Sequence, residues 1–314
     1  MTKKLILTMT LLAAVATIFV ACKKDAPTYS VQVTAAQGGT VEGQNGEYNE
    51  GETVVFKAVP ADGYYFIQWS DGNTDNSRTI EVGKDDITLT AEFGFVTISG
   101  DLGLKSGTIW ATCNLGAANP WDYGDYYAWG ETQTKDIYGW ETYKYSNGNS
   151  YSFTKYNVNA NYGTVDDKTV LEPTDDVATA VLGADYSMPT IADWKELADE
   201  CYWVWTADYN NHGVSGYMVY GAKTDADKGA KVYEDDTPSV SYSLSDAHIF
   251  LPAAGNRFGA GLYCADTVGG YWSASLKTSL PYSARILYLD SGTVLPGVNC
   301  DRCHGWPVRP IRRP

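Results

Sequence analysis

From Tyr29 to Phe93 the apolar residues come in runs too short and too strictly alternating for helices. The stretches YSVQVTA, TVVFKAV, YYFIQWS, RTIEV and DITLTAEF are separated by GG, ADG and SDGNTDN. A period of two puts successive side chains on opposite faces of a strand, so one face can be buried while the other stays wet. The Gly-, Asp- and Asn-bearing breaks supply the turns between them. In the last run Ile87, Leu89, Ala91 and Phe93 fall on one face. This pattern stops near residue 94, and beyond it Gly, Asn, Ser and aromatic residues dominate as far as Pro314. One segment there has a clear helical period. In TIADWKELADEC, Ile191, Trp194, Leu197, Ala198 and Cys201 recur at helical spacing, and Thr190 with Asp193 has the form of a capping box. A shorter helix is expected from Asp175 or Asp176, whose carboxylates suit the positive end of DDVATAVL. The chain therefore divides into an all-β segment, residues 29–94, and a second domain, residues 95–314, with an α+β class expected for the whole.

Residues 1–21 carry the three parts of a secretory signal: Lys3 and Lys4, an apolar stretch from Leu5 to Val20, and the small Ala21. A membrane span is the competing reading, but it needs roughly 20 predominantly apolar residues. Here Thr8 and Thr10 interrupt the run, and it ends sooner. Phe19-Val20-Ala21-Cys22 resembles the bacterial lipobox, where cleavage leaves the cysteine as an acylated N-terminus; the small preceding residue lets the peptidase close around that bond. The resemblance implies lipidation at Cys22, residues 22–28 as a charged tether through Lys23-Lys24-Asp25, and a lipid bilayer as partner. The expected location is the bacterial outer membrane, lipid-anchored and facing outward. An ordinary cleaved secretion signal with an incidental cysteine is the alternative.

The processed chain, about 290 residues, is long enough for one large or two modest domains. Thirty-one Gly, 24 Tyr and 10 Trp against 19% charged residues describe a loop-rich, aromatic chain dominated by strands. A formal net charge of −15 argues against nucleic acid, whose phosphates need a basic footprint, and against acidic polysaccharides. Acidity is compatible with a bound divalent cation or with solubility alone. Besides Cys22 there are five cysteines, Cys113, Cys201, Cys264, Cys300 and Cys303. Export permits disulfides, but an odd number leaves at least one thiol free or paired elsewhere. Cys300-Asp-Arg-Cys303 has the spacing of a zinc half-site or a redox pair. A structural zinc needs four ligands and only His304 lies nearby, so neither a metal nor another cofactor is expected. A bridge from Cys264 to Cys300 or Cys303 is the preferred reading.

Gly38 to Val41, Glu50-Gly51, Ala58 to Trp69 and Ala91-Glu92-Phe93 together resemble the pattern of the bacterial internalin-type B-repeat domain. That resemblance implies a stalk or spacer, with Phe66 and Trp69 in its core. Further along, DLGLKSGTIWATCNLGA, YGDYYAWGET, MPTIADWKEL, IFLPAAGNR, GGYWSAS and VRPI resemble, in order, the signatures of the Fibrobacter succinogenes major paralogous domain, abundant in surface proteins of Bacteroidetes. The implied fold is C-type-lectin-like, rich in long loops and related to the formylglycine-generating enzymes. Met188-Pro189-Thr190 with Trp194 is similar to that group's helix-opening motif, and Gly305 with Val308-Arg309 stands where its terminal G-F-R lies.

Those enzymes use a cysteine pair just after a G-G-S-W stretch, because soft thiolates are needed there for copper. Here Gly269-Gly270-Tyr271-Trp272-Ser273-Ala274-Ser275 offers none, and Cys300 and Cys303 come well downstream. No G-x-S-x-G elbow, paired-histidine motif or phosphate loop is present, and the chain has three His. Catalysis is therefore not expected. Long polar-aromatic loops on a fixed frame suit binding instead. The candidate surface runs from Pro252 to Cys303: Asn256, Arg257, Asp266, Asp290, Asn299 and Asp301, with Tyr263 and Tyr282 as flat platforms for a glycan or a surface protein. Trp272 and Trp306 are expected in the core. Glu172-Pro173-Thr174 resembles a lectin calcium triplet in letters, but it precedes the main helix, so calcium binding is not carried over. The expected function is a cell-surface lipoprotein with a non-catalytic recognition or adhesion module. The alternatives are a structural surface, coat or fimbria-tip component without a small ligand and, disfavoured by its misplaced cysteines, a formylglycine-generating-type enzyme.

Overall fold

A computed structural model of the chain describes residues 26–61, 64–95, 100–238 and 240–314. The signal segment and the lipidation site Cys22 lie outside the described residues.

The alternating segment folds as seven strands: β1 (Thr28–Ala35), β2 (Gly39–Glu42), β3 (Gly46–Asn49), β4 (Thr53–Pro60), β5 (Tyr64–Trp69), β6 (Ser77–Glu81) and β7 (Ile87–Phe95). They make two sheets, in the orders β3-β1-β7-β5 and β2-β4-β6. β1 and β7 pair in parallel at the centre of the first sheet, so the segment's two ends are stitched together. Every second side chain turns inward, and Val31, Val33, Phe56, Ala58, Trp69, Ile80, Val82, Leu89 and Ala91 form one core. Trp69 is fully buried and its indole N–H donates to the Asp75 carbonyl at 2.8 Å. Its large apolar body is thus buried with its single polar atom satisfied.

Residues 100–314 contain β8 (Ile109–Trp110), α1 (Val177–Leu182), β9 (Tyr186–Ser187), α2 (Ile191–Glu200), β10 (Cys201–Thr206), β11 (Gly216–Gly221), β12 (Lys231–Val232) and β13 (His248–Pro252). There follow β14 (Asn256–Phe258), β15 (Gly261–Tyr263), β16 (Val268–Leu276), β17 (Ser283–Asp290), β18 (Thr293–Asp301) and β19 (Ile311–Arg312). The sheets are β12-β10-β11-β13, β16-β17-β18, β8-β19-β9 and the β14-β15 hairpin. β19 sits between β8 and β9, so the last residues close the fold onto its beginning. In α2 the Thr190 hydroxyl accepts from the Asp193 N–H, and the Asp193 carboxylate accepts from the Thr190 N–H at 2.7 Å, completing the capping box. Trp194, Leu197 and Ala198 are the buried face of this helix. Trp194 donates its indole N–H to the Trp272 carbonyl at 3.3 Å, which fixes α2 against β16. Trp272 and Trp306 are buried in the larger core cluster.

The α+β expectation is corrected by this structure. Strand accounts for 39% and helix for 9%, so the fold is β-rich. The reason is length. α1 has six residues and α2 has ten, and helices that short are held by their packing and caps rather than by their own propensity. From residue 111 to 176 the chain instead satisfies its backbone through loop-to-loop hydrogen bonds.

Two fully buried arginines hold those loops. The Arg302 guanidinium donates to the carbonyls of Lys155 at 3.0 Å, Tyr156 at 3.0 Å and Pro281 at 2.9 Å, and to the Tyr143 hydroxyl at 2.9 Å. It also lies over the rings of Phe153, Trp129 and Tyr143, at 4.5, 5.1 and 5.2 Å. Arg309 donates to the Asn114 side chain at 2.8 Å and to the carbonyls of Ala111, Thr112 and Phe250 at 3.0, 2.7 and 2.8 Å. Neither pairs with a carboxylate in these contacts. A planar fork of five N–H groups meets several carbonyls from different segments at once, which a lysine could not do.

Candidate functional site

A concave surface is built on the segment Asp125–Tyr138, which the backbone pins at two points, with a third pair tying the hairpin opposite it. Tyr127 exchanges two N–H···O bonds with Trp306, both 3.1 Å. Tyr138 does so with Gly259 at 2.8 and 2.7 Å, and Arg257 with Gly305 at 2.8 and 2.9 Å. Gly305 is required at this crossing, because a Cβ there would lie 2.6 Å from the Tyr138 ring. The phenols add further ties: Tyr138 donates to the Tyr126 carbonyl and Tyr126 to the Ala254 carbonyl, each at 2.5 Å. Burial pushes the Tyr138 phenol up to about 12 and raises that of Tyr126 still further, so both stay neutral donors.

These elements form a hollow of about 600 Å³ in which Asp125, Tyr126, Lys135, Asp136, Tyr138 and Arg257 face Thr74 and Asp75 from the β5–β6 turn. A second hollow of about 350 Å³ shares Thr74, Asp125 and Thr134 and has apolar walls from Phe66, Leu115 and Val181. The Arg257 guanidinium lies 5.2 Å from the Tyr126 ring centroid and has no hydrogen-bonding partner for its side chain among the described residues. Asp125 accepts from the Tyr127 hydroxyl at 3.2 Å. Burial raises its carboxyl above the ordinary value, against the smaller lowering effects of that hydrogen bond and of Arg257. Lys135 is held by Glu131 at 2.8 Å and by the Thr142 carbonyl at 3.1 Å, whereas Asp136 is exposed. The hollow thus offers the Arg257 guanidinium and the exposed Asp136 carboxylate beside aromatic walls. That combination suits a ligand carrying both hydroxyl or amide hydrogens and oxygens, and binding sites are commonly concave with a few convergent polar groups.

The eight sequence-derived candidates do not converge on this hollow. Arg257 lines it, and Asn256 and Tyr263 share its hairpin as a cross-strand pair. Asp266 lines a different hollow, of about 290 Å³, together with Trp205, Ser215 and Ser291; its carboxylate accepts from Tyr123. Asp290 caps the β17–β18 turn beside that hollow, accepting from the Gly292 N–H and the Tyr288 hydroxyl, both at 3.0 Å. Tyr282, Asn299 and Asp301 lie at the opposite end of the β17–β18 ribbon, about 25 Å away along its strands. The residues missed are Asp125, Lys135 and Asp136 with Thr74 and Asp75. For Asp125, Lys135 and Asp136 the signal was visible in the crowding of acids and tyrosines in YGDYYAWGETQTKDIYGW, which sits outside the loops after Pro252; Thr74 and Asp75 carried none.

Cys113, Cys201, Cys264, Cys300 and Cys303 are all free thiols. Burial pushes the thiols of Cys201, Cys300 and Cys303 up to about 12, the opposite of what a nucleophile or redox pair requires. Cys300 accepts the Trp306 indole N–H at 3.0 Å. Cys300, Cys303 and His304 also have the spacing of a c-type haem attachment site. The residues do not fit that group, since Cys303 is fully buried in the core beside Arg302. Among the described residues, no three His, Cys, Asp or Glu side chains converge as for a metal ion. No helix among them is long and apolar enough to cross a membrane.

No curated protein and no solved structure matches the chain. A family model does: residues 29–96 match the divergent InlB B-repeat domain, the segment built from β1 to β7.

Proposed function

We propose that the chain is a bacterial cell-surface lipoprotein in which acylated Cys22 holds a B-repeat spacer and residues 95–314 act as a non-catalytic recognition or adhesion module of the major paralogous class. The observation that carries this reading is the Arg257 guanidinium, over the Tyr126 ring and without a side-chain hydrogen bond among the described residues, lining one aromatic-walled hollow with Asp125 and Asp136. The B-repeat match at residues 29–96 supports a surface or adhesion role. Thiols held protonated by burial favour binding over redox chemistry. The ligand is a glycan or a surface protein of the outer-membrane environment.

The test is a glycan array probed with the exported part of the chain, run in calcium and in chelator. Binding that Arg257→Ala removes while the melting temperature holds supports the site, and retention of full binding by that variant contradicts it. For the anchor, Cys22→Ser is expected to leave the precursor without acyl chains and out of the membrane fraction. An unchanged membrane fraction contradicts the anchor.

A further inference from the structure

Three tyrosines from three separate segments form a cluster that shares no residue with the lining of the Arg257 hollow. Tyr151 is 70% exposed, more than any other large apolar or aromatic side chain among the described residues. Its ring stacks near Tyr162, with centroids 6.4 Å apart and planes inclined by 21°, and Tyr162 in turn lies 5.9 Å from Tyr282. Tyr162 and Tyr282 are half-buried against the core, and Tyr151 extends them into solvent as one contiguous aromatic surface, the kind of patch that marks contact with a partner.

The surface is built. The Tyr151 N–H donates to the Asn149 side chain at 2.9 Å, and Asn147 closes the same loop through the Ser152 carbonyl at 2.9 Å and hydroxyl at 2.8 Å. Tyr162 ends a short 3-10 turn capped by Asn159, and its carbonyl accepts the Phe153 N–H at 2.7 Å. Gly163 permits that contact: it sits at φ +103° and a Cβ there would lie 2.5 Å from the Phe153 carbonyl oxygen. The Tyr282 carbonyl accepts the Arg302 N–H at 3.1 Å, and the Arg302 side chain holds the neighbouring Pro281. Each ring therefore stands on backbone fixed by hydrogen bonds, with little freedom to lose on binding.

The two lysines of the adjoining 153–172 stretch are spent on acids. Lys155 pairs with Glu172 at 2.5 Å and with Asp175, and Lys168 pairs with Glu172 at 2.6 Å. None of the three phenol hydroxyls has a hydrogen-bond partner among the described residues. Flat apolar faces and free hydroxyl edges match a sugar ring, whose C–H face is apolar and whose rim is hydroxylated, and the formal net charge of −15 favours a neutral sugar over an acidic one. We propose that Tyr151, Tyr162 and Tyr282 form a platform for a neutral glycan chain, a second binding surface separate from the Arg257 hollow. The proposal rests on the recognition reading above and gives it a ligand class.

Affinity electrophoresis through gels containing single neutral polysaccharides, a glucan, a mannan, a xylan and a galactan, tests it with the exported part of the chain. At least one gel is expected to retard the protein, with Tyr151→Ala and Tyr282→Ala each weakening the interaction about tenfold. Tyr151 is exposed, so its variant is expected to keep the native melting temperature. Arg257→Ala is expected to leave this retardation unchanged. Four outcomes overturn the platform: no retardation in any gel, retardation untouched by the tyrosine variants, retardation lost with Arg257→Ala alone, or a protein ligand, bound without any saccharide, that the tyrosine variants release. The third of these leaves the recognition reading standing while the platform falls.

Discussion

The segment built from β1 to β7 and the region after residue 100 keep their shape by different means. In the first, one alternating apolar face of each strand fills a core in which Trp69 is fully buried and the hydrogen bonds run along strand ladders. In the second, long stretches have no regular element. Their backbone groups are met by buried arginines, by phenols and by loop-to-loop pairs. A strand core tolerates a conservative apolar change, because its loss scales with the area removed. A buried polar clip does not, since removing one partner strands several others away from water.

The sharpest way to break this contrast is Arg302→Met. The change keeps an apolar chain but leaves three carbonyls and the Tyr143 hydroxyl without their donor. We expect a loss of about 4 kcal/mol in the transition of residues 100–314, read by denaturant melts. A loss below about 1 kcal/mol, as for ordinary surface changes, breaks the comparison. Leu89→Ala in the B-repeat core is expected to lower the transition of residues 29–95 by about 3 kcal/mol and to leave the other transition in place.

Asp175 sharpens the comparison through pH. Burial alone would raise its carboxyl, but the hydrogen bonds from Lys155 and Tyr156 outweigh burial and hold it at about 2. A carboxyl whose folded pKa is depressed contributes stability that is fully present above its unfolded value and lost as pH falls through the folded one. Asp175→Asn is therefore expected to lower stability by about 2 kcal/mol at pH 7. The difference from the native chain should shrink as pH falls from about 4 toward 2. A gap that stays constant down to pH 2 contradicts the assignment. The smallest effect belongs to an ordinary device found in many folds: Thr190→Ala removes half of the α2 capping box and is expected to cost about 1 kcal/mol by thermal melting.

The same contrast decides what could be read in advance. Period-two alternation puts Ile87, Leu89, Ala91 and Phe93 on one face, and Leu89 and Ala91 are buried with Ile87 and Phe93 packed against them. The capping box at Thr190 and the buried stripe of α2 were equally legible, because both depend on residues three or four apart. The overall class was not. A local helical signal says that a helix exists, not what share of the fold it makes, and two short helices leave this one β-rich. The clips were illegible for a related reason: Arg302 reaches carbonyls 146 and 147 positions earlier, and Arg309 one 198 positions earlier. The hollow joins Thr74 and Asp75 to Asp125 and Arg257, four residues with no local pattern in common. Aromatic density in YGDYYAWGETQTKDIYGW pointed to the place but not to the partners.

The central claim is that the strand-poor region of residues 111–176 is as fixed as the sheets, so that it presents a ready-made binding surface. Hydrogen–deuterium exchange of the native chain tests it directly. The amides of Tyr127, Trp129 and Phe153, bonded to the carbonyls of Trp306, Arg302 and Tyr162, are expected to exchange as slowly as those of Leu287 and Leu289 in β17. Exchange of these three at the rate of exposed loop amides, while β17 stays protected, contradicts the account.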